Sequence, residues 1–166
     1  TMRLVLSDVR LGFKYVATWP GLLFIILIAT MLNFLLVPAF TFLPLLVTQH
    51  FLGGAAEYGW LESLFGIGVI TGGILLSVWG GFRRKILTIM IALIGMGIGV
   101  LAIGFAPGSG YSIALGAMAL TGMMSSLANG PLGALMQAKI EPEKQGRVFT
   151  MINSLAAGMS PIAMVF

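Results

Sequence analysis

Ile86-Leu-Thr-Ile-Met-Ile-Ala-Leu-Ile-Gly-Met-Gly-Ile-Gly-Val-Leu-Ala-Ile-Gly-Phe-Ala106 contains no charged residue and only one polar side chain, Thr88. It is long enough to cover the roughly 20 residues that cross a bilayer core as a helix. Four further apolar runs lie around it: about Gly21 to Val47, Tyr58 to Trp79, Tyr111 to Ala138, and Val148 to the last residue, Phe166. Backbone placed in lipid must satisfy its own hydrogen bonds, so these runs read as helices. A transmembrane β-barrel would need strict apolar and polar alternation over strands of roughly 10 residues, which is absent. The fold class is therefore an all-α membrane protein, an antiparallel bundle of transmembrane helices. The predicted organisation is a lead-in over 1–19 and a bundle over 20–166, with a last span that continues past Phe166.

Composition agrees. Of 166 residues, 58% are hydrophobic and 8% charged, whereas a soluble domain carries about a quarter charged residues. There is no cysteine, which excludes disulfides, iron–sulfur clusters and thiolate metal sites. The single histidine, His50, excludes a multi-histidine metal centre. No cofactor is called for. A membrane-embedded enzyme would need a nucleophile–base pair or a metal constellation at depth, and the one aspartate, Asp8, lies outside the spans. The reading is not an enzyme.

The joints between spans are short turns: Gly53-Gly54, Gly80-Gly81, Pro107-Gly108-Ser109-Gly110, and Glu141-Pro142-Glu143-Lys144-Gln145-Gly146. The nine basic residues fall on alternate connections. Arg3, Arg10 and Lys14 are in the lead-in, Arg83, Arg84 and Lys85 between the second and third spans, and Lys139, Lys144 and Arg147 between the fourth and fifth. The positive-inside rule then puts the lead-in and these loops on the cytoplasmic side of a cell inner membrane or plasma membrane. Because the cations follow the loops, the formal net charge of +4 indicates topology and not a nucleic-acid surface.

Polar residues inside a span are costly and mark what faces protein or water. In the first span Thr30, Asn33, Thr41, Pro44 and Thr48 share a stripe, and Pro38 and Pro44 predict a kink. The second span carries Glu62, the one ionisable side chain placed within the bilayer, about a turn from the outer end. A carboxylate there could bind and release a coupling proton, because lipid disfavours its charged form. Gly66, Gly73 and Ser77 share its face, which predicts packing of that face on another helix. Gly68 and Gly72 form a GxxxG pair suited to a close crossing, as do Gly95 and Gly99 in the third span. The fourth carries Thr121, Ser125 and Asn129 at four-residue steps, then Gly130-Pro131. The fifth carries Thr150, Asn153, Ser154 and Ser160. Spans one, two, four and five thus have polar arcs, and span three reads as a peripheral support. Thr30, Asn33, Thr41, Thr121, Ser125, Asn129 and Asn153 are the substrate-path candidates and Glu62 the proton-coupling candidate.

Four stretches carry a family resemblance: Asp8-Val-Arg-Leu-Gly-Phe-Lys-Tyr, Tyr58-Gly-Trp-Leu-Glu-Ser-Leu-Phe-Gly-Ile-Gly, Asn129-Gly-Pro-Leu-Gly-Ala-Leu-Met-Gln and Pro142-Glu-Lys-Gln-Gly-Arg-Val-Phe. In this order, and with this charge topology, the chain resembles the C-terminal half of a major facilitator superfamily transporter, in the bacterial branch of macrolide efflux proteins and siderophore exporters. The resemblance implies the seventh to eleventh helices of a twelve-helix fold, the ninth being peripheral. It implies ion-gradient-driven export, most simply proton antiport, of a drug-like or siderophore-like amphiphile by alternating access. The partners would be the lipid bilayer, the small-molecule substrate and a missing N-terminal half, and not nucleic acid. Gly80-Gly81-Phe82-Arg83-Arg84-Lys85 resembles a degenerate second copy of the superfamily's cytoplasmic loop motif, without the aspartate that normally follows the glycine. Solute uptake and a structural or assembly role in the membrane remain open at this point.

Overall fold

The structure is a computed structural model that describes residues 36–139 together with Gly146 and Thr150. The chain divides into two compact units, Thr1–Phe42 with Lys139–Phe166, and Leu43–Ala138. In the first unit residues 36–41 are helical. Most of the predicted first span and nearly all of the fifth lie outside the described residues.

The second unit holds α1 (Leu43–Gln49), α2 (Ala55–Trp79), α3 (Lys85–Phe105) and, up to Ala138, α4 (Tyr111–Lys139). Every described element is helical. The helix over 36–41 is interrupted at Phe42, just ahead of Pro44. Proline has no N–H to return to the carbonyl four residues earlier, so the ladder cannot run through it. The last three helices are each long and apolar enough to cross a membrane; α2, at 25 residues, would be about 37 Å long at 1.5 Å per residue. It begins at Ala55, ahead of the apolar run, because Glu57 reaches back to accept a 2.6 Å hydrogen bond from the Gly54 N–H. That satisfies one of the donors a helix start leaves open.

α4 packs on both α2 and α3, and glycine sets both interfaces. A Cβ added at Gly68 or Gly72 of α2 would run into the backbone of Ala119 or Met123 on α4, and one at Gly122 of α4 would run into the Phe65 carbonyl. The two backbones therefore touch, as the GxxxG spacing predicts. The order of contacts, Phe65 with Gly122, Gly73 with Ser126 and Leu76 with Gly130, makes α2 and α4 parallel. α3 runs antiparallel to α4, since Gly95 meets Met124 while Gly99 meets Thr121 and Ala117.

α3 buries one stripe, Thr88, Ala92, Met96, Gly99 and Ile103, at the three- and four-residue steps of a single helix face. Its other faces expose Ile86, Met90, Ile94, Ile98, Leu101 and Phe105. A soluble protein would cover such surface, whereas lipid solvates it. The Gly99 crossing is testable. A methyl at Gly99 would meet Thr121 Oγ1, so Gly99→Ala is expected to cost about 1–3 kcal/mol through overpacking. Gly99→Ala with Thr121→Ala should recover part of that loss. Additive effects in thermal unfolding of the detergent-solubilised protein would contradict this crossing.

Candidate functional site

The helix packing decides which polar residues share a surface. On α2 the buried side is Leu61, Gly68 and Gly72. Glu62, Ser63 and Ser77 are exposed, and a Cβ at Gly66 would have nothing within 4 Å. The sequence expectation that the small face carrying Glu62 packs on another helix is therefore corrected. The packed face is the neighbouring arc through Gly68 and Gly72, where backbone meets backbone. Only the edge of the Glu62 arc reaches α4, where a Cβ at Gly73 would lie 3.5 Å from Ser126 Oγ. That contact sets Gly73 beside Ser126, so the two arcs form one strip along parallel helices, in which Glu62 lies about 16 Å along the axis before Ser126.

Within this strip the polar groups are organised along their own helices. The Glu62 carboxylate accepts a 3.0 Å hydrogen bond from the Tyr58 hydroxyl, one turn earlier on the same face. Tyr58 was not among the candidates, although its four-residue spacing from Glu62 was the available signal. On α4, Asn129 Nδ2 donates to the Ser125 carbonyl at 2.9 Å and to Ser125 Oγ at 3.3 Å. Below Asn129 comes Pro131, inside the helix, which deprives the Leu127 carbonyl of its usual donor.

Thr121 is placed differently. It is fully buried, its Oγ1 donates to the Ala117 carbonyl at 2.7 Å, and it packs on Gly99 of α3. Four residues advance a helix by 400°, so each step of four drifts about 40°. Over two steps Thr121 and Asn129 are about 80° apart, enough to put the first in a helix interface and the second on an open face. Thr41 is exposed in the other unit, its hydroxyl bonded to the Val37 carbonyl at 2.8 Å. Thr30, Asn33, Asn153 and Arg147 lie outside the described residues. Arg83 and Arg84 are exposed between α2 and α3, and Lys85 is exposed at the start of α3.

A second cluster ties together the opposite end of the unit. His50 Nε2 lies 2.8 Å from the Ala106 carbonyl, and Phe51 meets Tyr111 edge to face, ring centroids 5.9 Å apart. The Tyr111 hydroxyl donates to the Glu57 carbonyl at 2.6 Å. The connection after α1, the start of α2 and the start of α4 are thereby held to one another and to the end of α3. Among the described residues no three His, Cys, Asp or Glu side chains come together.

Three helices long and apolar enough to cross a membrane, locked to one another by glycine, define a multi-pass membrane protein. The chain belongs to the Major Facilitator Superfamily, which it matches over residues 2–164. It is 32% identical over 160 residues to macrolide efflux protein A of Streptococcus pyogenes, covering 96% of this chain and 40% of that protein. It is 32% identical over 159 residues to macrolide efflux protein A of Enterococcus faecalis, covering 96% of this chain and 49% of that one. The chain thus spans less than half the length of these relatives. No solved structure matches it.

Proposed function

We propose that this chain forms one half of a secondary active transporter that exports a drug-like amphiphile of the macrolide kind by alternating access. The observation that carries the reading is the polar strip along two touching parallel helices, Glu62 near the start of α2 and Ser125, Ser126 and Asn129 further along on α4, between helices whose exposed faces are rich in isoleucine and leucine. Such groups are costly in lipid, so the strip belongs against a second wall or water. A second half of the transporter would supply that wall, with substrate bound between the halves near the midplane. Thr30, Asn33, Thr41 and Asn153 remain candidates for the substrate path on their sequence pattern alone. Thr121 supports the wall from behind by holding α4 to α3.

Export is driven by an ion gradient, most simply by proton antiport through Glu62, and the loops carrying Arg83, Arg84, Lys85 and Arg147 face the cytoplasm of a bacterial cell membrane. The relatives' macrolide efflux and the segregation of basic residues onto alternate loops support this direction and topology.

The test uses the full-length protein in sealed vesicles holding an acidic interior. Radiolabelled macrolide should accumulate inside the fraction of vesicles whose cytoplasmic face is outward, and an added protonophore should release it. Accumulation equal to that of protein-free vesicles under every imposed ion gradient would overturn the assignment.

A further inference from the structure

We infer that the turn between α2 and α3 is a binding site for the phosphate headgroup of an anionic phospholipid. The turn is held in one shape. Gly80 and Gly81 have φ of 74° and 76°, the left-handed region that glycine enters without steric cost. The Gly80 N–H closes α2 on the Leu76 carbonyl at 2.8 Å. The Phe82 N–H then donates to Thr88 Oγ1 at 2.9 Å, and Thr88 is buried in the first turns of α3. Trp79 and Phe82 pack edge to face with ring centroids 4.6 Å apart. Both stay substantially exposed, as aromatic side chains at a membrane–water boundary do.

This clamped turn presents Arg83, Arg84 and Lys85 in succession, all three exposed. The carboxylates among the described residues are Glu57 and Glu62, both in the first part of α2. From Glu62 to Trp79 the helix rises about 25 Å, several times the roughly 8 Å over which physiological salt screens charge. Neither acid neutralises the three cations. Arginine forks match phosphate oxygens in a bidentate way.

The surroundings point to a lipid and not to a free anion. On the bilayer side of the cations the surface is apolar, with Val78 at 84% and Ile86 at 61% exposure. An acyl chain hanging from a headgroup held by Arg83 and Arg84 would run along those two side chains. The partner is thus an amphiphile with a negative head, the complement of a basic turn set above an apolar wall.

The experiment measures lipid retained by the full-length protein in detergent, by native mass spectrometry, after exchange with phosphatidylglycerol or phosphatidylcholine. Phosphatidylglycerol should be retained in preference. Each cation near a charged lipid surface contributes about fivefold in affinity, so Arg83→Gln with Arg84→Gln and Lys85→Gln should lower retention by about a hundredfold. Arg83→Lys with Arg84→Lys keeps the charge but loses the bidentate fork, and should retain an amount between the wild type and the triple variant. The substituted residues are exposed, and a monodisperse elution profile verifies that each variant is folded. Equal retention of phosphatidylglycerol by the wild type and the folded triple variant would overturn the site. Displacement by glycerol 3-phosphate as effective as by the whole lipid would overturn its assignment to a lipid. Because the readout is lipid retention, failure of the proposed export activity leaves this result independent.

Discussion

Gly68→Val should separate α2 from α4 and produce the largest loss of stability of any single substitution in the unit. A Cβ at Gly68 would enter the space of the Ala119 carbonyl oxygen and come within 2.9 Å of the Met123 amide nitrogen. Both are backbone atoms inside a continuous helix, and they cannot swing aside as the tip of a side chain can. Overpacking of this kind costs about 3 kcal/mol or more. The opposite helix has no slack either, because a Cβ at Gly122 would meet the Phe65 backbone. Gly66→Val, on the same helix but with open space around it, is the matched control and should be close to neutral for folding. Thermal aggregation of the detergent-solubilised full-length protein measures both. Equal melting behaviour of Gly68→Val and Gly66→Val would mean that α2 and α4 do not touch at these glycines.

Glu62→Gln should abolish accumulation driven by a pH gradient, down to the level of protein-free vesicles, while leaving expression and elution profile intact. The carboxylate is exposed and its one described partner is the Tyr58 hydroxyl, on its own helix. Replacing it by an amide of the same shape therefore disturbs no helix interface. What it removes is a group able to take up and release a proton near the outer end of an apolar span. A second measurement separates coupling from binding. Exchange of labelled for unlabelled substrate across the vesicle membrane needs the path but no net proton movement, and should persist in Glu62→Gln. Tyr58→Phe keeps the carboxylate and should retain most pH-driven transport. Undiminished pH-driven accumulation by Glu62→Gln would remove this residue from the proton route.

The contrast between these residues shows why part of the candidate site stands out in the chain alone. Glu62 stands out because an ionisable side chain in an apolar run is conspicuous whatever surrounds it. Gly68 and Gly72 stand out because four-residue spacing of small residues has a local meaning for helix packing. Ser125 and Asn129 belong to a four-residue series, and the structure leaves them on or near an open face. Thr121 belongs to the same series yet is buried against Gly99, because the slow rotation of a four-residue stripe carries its end onto another neighbour. The cluster of His50, Phe51, Glu57, Ala106 and Tyr111 had no sequence signal, since each residue reads locally as part of a turn or a helix start. It comes together only when residues more than fifty positions apart are folded into one end of the unit.

Apolar length, the absence of charge within runs and the placement of every cation on alternate connections determine that the chain is a bundle of membrane helices, because lipid penalises charge and open backbone wherever they occur along a sequence. Those penalties act on single residues, so they can be summed without knowing the neighbours. Which helix packs on which, that α4 meets both α2 and α3, and whether a given polar residue meets a glycine or an open face depend on contacts between distant segments. Tertiary structure alone decides those, because a helix turns through 100° per residue and has several faces to offer. Only the partners that press against it select the face left open.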